Sequence, residues 1–153
     1  MPHTMPPTID DANLILRLYE LRREDKLRAA REWFRTKFYP WSLEDLRVVI
    51  QTPGEENTNY RMVTTYWDMA CSFVATGVLH ADLFFQSAGE AFMVWSRLES
   101  YAVRVRSELQ TPWFMVHVEK AVGMVPWGQE RLAIFRARLA AMREKAQKAA
   151  RPA

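Results

Sequence analysis

The chain has little of what most enzyme motifs require. It holds one cysteine, Cys71, in 153 residues, which excludes an internal disulfide and any zinc site built on several thiolates. Its five glycines are Gly54, Gly77, Gly89, Gly123 and Gly128. None falls into GxGxxG or GxxxxGKS/T, so the usual phosphate-cradling loops are excluded. The three histidines, His3, His80 and His117, form no HExxH pair and have no Glu-x-x-His spacing, and a GxSxG nucleophile elbow is missing. No catalytic residue, metal ligand or cofactor site is expected. Strand signals are absent too, because no β-branched run alternates strictly between turn residues. The fold class that remains is all-α: a compact bundle of about five to seven helices, with long N-terminal and C-terminal members.

There is enough apolar material for a core. Hydrophobic residues make up 49% and charged residues 25%, the composition of a globular chain rather than a disordered one. At this length folding hides roughly 70% of the unfolded surface, so no metal or disulfide staple is needed. Residues 1–8 carry three prolines and neither the basic nor the apolar region of a secretory signal. Residues 1–9 read as a disordered tail, 10–149 as one helical domain and 150–153 as a frayed end. The longest apolar stretch, residues 62–79, approaches the length of a membrane span. Asp68 stands near its middle, and a charge at mid-bilayer is costly. The stretch therefore reads as the central buried helix of a soluble bundle. A cytoplasmic protein is expected, and one reduced thiol suits that compartment.

The first helix is expected to start at Asp10 or Asp11, where a carboxylate caps free N–H groups, and to run to about Lys37. Leu14, Leu18 and Leu21 form one stripe, and Leu27, Ala30, Phe34 and Phe38 form another, out of phase with it. Polar residues 22–26 lie between them, which predicts a bend or break near Asp25. Residues 42–45 read as a capped start for a short helix to about Gln51, followed by a turn at 52–54 and a polar loop at 55–59. A helix at about 58–76 is apolar round much of its circumference and should be buried on several sides. Gly77 suits a left-handed stop. The remaining expectations are a helical turn at 82–85, a long helix at about 89–110, a helix opened by Thr111 and Pro112, and a last helix at about 129–149.

Asp68 is the outlier in the most apolar helix. Burying a carboxylate unpaired costs several kcal/mol or forces it neutral. A partner such as Arg61, Arg97 or Arg104 is expected, giving a buried polar network of Asp68, Arg61 and Arg97 that fixes register more than it stabilises. The alternative is a polar group at the floor of a ligand-binding or hydrolytic pocket, with Glu90 and Glu99 as candidates to join it. Cys71 reads as an inert buried thiol, and His80 and His117 as structural histidines.

Charge is segregated along the chain. Residues 17–37 hold eight basic and four acidic side chains and residues 129–151 hold seven and two, so with a total of +3 the rest carries −6. Basic ends folding on an acidic middle is one account, and a basic face for nucleic acid is the other. In the last helix Leu132, Phe135, Leu139, Met142, Ala146 and Ala149 follow three-four spacing, like heptad a and d positions. Arg131, Arg136, Arg138, Arg143 and Lys145 flank that stripe and are the candidate interaction residues. Like charges disfavour pairing two copies of this helix. The expected partner is a protein with an acidic surface, or a second copy bound through another face. Nucleic acid, held by the basic first and last helices, is the alternative. The aromatics at 33–34 and 38–41 read as core rather than as base-stacking platforms.

The runs Leu18-Tyr19-Glu20-Leu21-Arg22-Arg23, Ala30-Arg31-Glu32-Trp33-Phe34, Tyr66-Trp67-Asp68-Met69-Ala70 and Gly77-Val78-Leu79 resemble small uncharacterised bacterial proteins grouped near domain of unknown function 4760. The resemblance covers about residues 10–122. It implies an all-helical fold and carries no activity, cofactor or catalytic residue with it. The basic end after Pro126 stands apart from it. The combined expectation is a non-enzymatic helical protein-protein interaction module of a bacterial cytoplasm.

Overall fold

The computed structural model describes residues 5–152. Residues 1–4 of the expected tail, with His3, lie outside them, as does Ala153. Among the described residues every regular element is helical. The chain runs through α1 (Ile9–Leu21), α2 (Asp25–Thr36), α3 (Leu43–Gln51), α4 (Glu55–Ala75), α5 (Ala81–Ser87) and α6 (Glu90–Leu98). A 3-10 turn at Glu99–Tyr101 leads into α7 (Ala102–Glu108), then come α8 (Val116–Val122) and α9 (Gly128–Ala149). That is nine α-helical segments among the described residues, or eight if α6 and α7 are counted as one rod, against the five to seven expected. The excess comes from a capped break before α2 and a 3-10 turn between α6 and α7.

The long first helix is two helices. Glu24 accepts the N–H groups of Lys26 (3.1 Å) and Leu27 (2.9 Å), which caps a new start where the two apolar stripes fall out of phase. The start of α1 is also corrected. Thr8, not Asp10 or Asp11, is the cap, and it forms a capping box with Asp11. The other Asp11 oxygen accepts the His80 N–H at 2.8 Å and ties α1 to the start of α5. The Thr8 N–H, foremost, holds the Asp11 carboxyl below its ordinary value. The tie is therefore fully present above about pH 4 and is lost as pH falls through the lowered pKa.

Ser42 and Asp45 form the capping box that opens α3. The expected polar loop at 55–59 is instead the first turn of α4. Glu55 and Glu56 favour the positive end of the helix dipole there. Asn57 donates to the Val49 and Ile50 carbonyls (3.0 and 2.9 Å), so α4 begins by capping the end of α3. Gly77 has φ +82° and stops α4 in the left-handed conformation that glycine adopts without strain.

α4 lies at the centre. Val63, Trp67, Ala70, Cys71 and Val74 are fully buried, with α2 packed on one side and α8 on the other. Removing a side chain of this size from water stabilises by about 2–3 kcal/mol. Tyr66 donates to the Leu18 carbonyl at 2.6 Å, and burial pushes its hydroxyl up to about 12. Burial also pushes the Cys71 thiol up, which keeps it a protonated core residue. No helix of the described residues is long and apolar enough to cross a membrane.

The segment before α8 departs most from expectation. Pro112 opens a turn, not a helix, and α8 begins only at Val116. Gln110 and Met115 both take positive φ, 54° and 52°, at a cost of about 1–2 kcal/mol each for a residue with a Cβ. Arg106 holds the bend by donating to the Phe114 carbonyl at 2.9 Å, and its guanidinium lies 2.8 Å from Glu119. α9 then packs on α6. It starts at Gly128, where a Cβ would collide with the Val122 carbonyl.

Candidate functional site

Asp68 does not meet an arginine. It reaches from α4 to the start of α8, where Oδ1 accepts the backbone N–H groups of His117 (3.0 Å) and Val118 (3.1 Å). Oδ2 lies 2.8 Å from His117 Nδ1. α8 has no side-chain cap of its own, so Asp68 supplies one from 49 residues away. A carboxylate has no proton to give, so Nδ1 carries the hydrogen of this pair. Nε2 makes no hydrogen bond among the described residues.

The network expected around Asp68 is replaced by separate contacts. Arg61 is exposed, and Arg104 pairs with Glu108 at 2.7 Å. Arg97 is buried and donates to the Phe34, Phe38 and Arg35 carbonyls at the end of α2. Its guanidinium stands 4.2 Å from the Tyr39 ring centroid. The negative end of the α2 dipole takes the place of a carboxylate, while desolvation lowers the Arg97 pKa. Glu90 takes two hydrogen bonds from Arg31 (2.8 and 2.7 Å) and one from Trp67 Nε1 (3.0 Å). Glu99 takes two from Arg136 (2.6 and 2.8 Å). Asp68, Glu90 and Glu99 thus have separate partners, and no group of three metal-ligating side chains occurs among the described residues.

Two concavities are left. One, of about 510 Å³, lies beside α4 and is lined by Tyr60, Asp68, Met69, Trp113, Met115 and His117 among others. The other, of about 580 Å³, runs between the end of α2, α6 and α9, where Met93, Phe135, Leu139 and Met142 face Arg35 and Arg138.

The basic residues of α9 divide into two sets. Arg131 donates to the Phe85 carbonyl at 3.1 Å and stands 4.4 Å over Trp127, and Arg136 holds Glu99. Both are occupied in seating the helix. Arg138 reaches only the Phe135 ring (5.3 Å), Arg143 the Trp41 carbonyl (3.3 Å), and Lys145 is exposed. None of these three has a carboxylate partner among the described residues. Leu132 is buried, Phe135 and Leu139 are half-buried, and beyond them all of α9 but Ala146 is exposed.

A family model described as Domain of unknown function (DUF4760) matches residues 7–124. The chain belongs to this family. No curated protein matches it, and no solved structure does. The DUF4760 match spans α1 to α8 and takes in the contact between Asp68 and His117. It ends before α9, so one wall of the second groove is built from residues outside it.

His117 is the residue that sequence reasoning set aside. Its pairing with Asp68 spans 49 positions and leaves no local spacing to read. The one available signal was the obligation of a half-buried carboxylate to find donors, which a helix N-terminus meets as well as an arginine does.

Proposed function

We propose that this DUF4760 protein is a non-enzymatic interaction module of a bacterial cytoplasm, and that the groove along α9 receives an acidic amphipathic helix of a partner protein. One observation supports this reading. Arg138, Arg143 and Lys145 have no carboxylate partner among the described residues, and Arg138 lines a groove with an apolar floor of Met93, Phe135, Leu139 and Met142. An apolar floor favours the hydrophobic face of a helix, and rim cations steer acidic flanks and reject basic ones. The same cations disfavour pairing of two copies of α9, so self-association belongs to another face. Nucleic acid is the weaker reading, because Arg28, Arg31 and Arg35 of α2 pair with Asp25, Glu90 and Glu32 and are drawn away from phosphate.

The test uses two labelled synthetic helices with the same leucine face, one flanked by glutamate and one by lysine, followed by fluorescence anisotropy. The acidic helix should bind, and the combined Arg138→Glu, Arg143→Glu and Lys145→Glu variant should weaken it at least tenfold with unfolding unchanged. Equal binding of both helices, or an unaffected variant, would remove the proposal. Tight, steeply salt-dependent binding of an oligonucleotide instead would transfer the face to nucleic acid.

A further inference from the structure

We infer that the concavity beside α4 is a separate binding site for a small aromatic molecule carrying one hydroxyl, which donates its hydrogen to His117 Nε2 while Asp68 acts as the positioning residue. Asp68 itself is already spent inside the fold. Both its oxygens are engaged, by two backbone N–H groups and one ring N–H. Oδ1 is committed to capping α8 and Oδ2 to the imidazole. The effect is to hold the ring hydrogen on Nδ1, so that Nε2 is the ring nitrogen left to accept.

The rest of the lining offers little competition. The hydroxyls of Thr64, Thr65 and Ser72, which line the same space, donate to the carbonyls of Tyr60, Arg61 and Met69 in their own helix. What remains is largely aromatic, from Tyr60, Trp113 and Phe114, with the Arg61 guanidinium and Thr111 beside it. Trp113 is 67% exposed, a large apolar ring left at the mouth. A volume of about 510 Å³ falls within the usual range of small-molecule sites, where a few polar groups orient a mainly apolar ligand. Met115, one of the lining residues, has a left-handed backbone, and strain of that kind concentrates at ligand clamps. A ring nitrogen that accepts selects a donor: a phenol-type hydroxyl fits it, and the corresponding ether does not.

The probes are 2-naphthol and 2-methoxynaphthalene, which share the ring system and differ in the donor. Titrations of the full chain are followed by amide and imidazole nitrogen NMR shifts. The naphthol should bind about tenfold more tightly, move amides near residues 60–72 and 110–118, and shift His117 Nε2. His117→Phe, which keeps a ring and removes the acceptor, should bring the two probes to equal affinity. Equal affinity in the unmodified chain overturns the inference whatever the variant does. So does an absence of shifts at millimolar probe, or shifts confined to α9.

Discussion

The two concavities are close in size, about 510 and 580 Å³, yet they differ in how far the fold has used their charged groups. Beside α4 Asp68 is engaged by a helix N-terminus and a ring N–H, leaving His117 Nε2 without a hydrogen bond among the described residues. Along α9 the pairing is incomplete. Arg136 is matched by Glu99 and Arg31 by Glu90, two contacts from the basic ends to the acidic middle. Arg138, Arg143 and Lys145 are left over. Volume is therefore a poor guide to ligand class here. What discriminates is whether the polar groups at the mouth have finished their work inside the fold.

The comparison can be broken most strongly at Gly128. Gly128→Ala drives a Cβ into the Val122 carbonyl and should cost about 3 kcal/mol, the upper end of overpacking penalties, measured by urea unfolding. Because the collision lies where α9 joins the body, affinity for the acidic helix should fall further than affinity for 2-naphthol. Asp68→Ala comes next. It leaves the His117 and Val118 N–H groups without their partner and should cost about 2 kcal/mol. Here the ranking inverts, with naphthol selectivity lost and acidic-helix binding retained.

Smaller effects sharpen the contrast. Arg138→Glu, Arg143→Glu and Lys145→Glu should each change stability by no more than about 0.5 kcal/mol, as exposed residues without a carboxylate partner do, so that their effect shows in binding alone. Gln110→Gly relieves a left-handed backbone at an exposed position and should stabilise by about 0.5 kcal/mol, the strain relief being partly offset by glycine's entropy. A destabilised Gln110→Gly protein would mean that the bend is held by more than local geometry.

Much of the fold was legible because its signals are local. Out-of-phase stripes marked the break before α2, the Ser42 and Asp45 box marked α3, and Gly77 marked the end of α4. Where the reading failed, the deciding partner was distant. Thr111 and Pro112 look like a helix start, yet α8 takes its cap from Asp68 in α4 and begins only at Val116. The polar run at 55–59 looks like a loop, yet Asn57 has carbonyls to meet on α3. Arg97 was assigned to a carboxylate by a rule of charge matching, whereas three carbonyls at a helix C-terminus satisfied it. The stripe and cations of α9 were readable from spacing. Which of those cations the fold would consume was not, because that depends on Phe85, Glu99 and Trp127 lying nearby.

The central claim is that α9 presents an unneutralised basic face to an acidic helix. Its most direct test is an amide NMR map of the chain titrated with the glutamate-flanked helix. The account predicts shifts at Met93, Ser96 and across residues 135–142, with residues 110–117 unmoved. Shifts concentrated at 110–117, or none along α9 at saturating peptide, would contradict it.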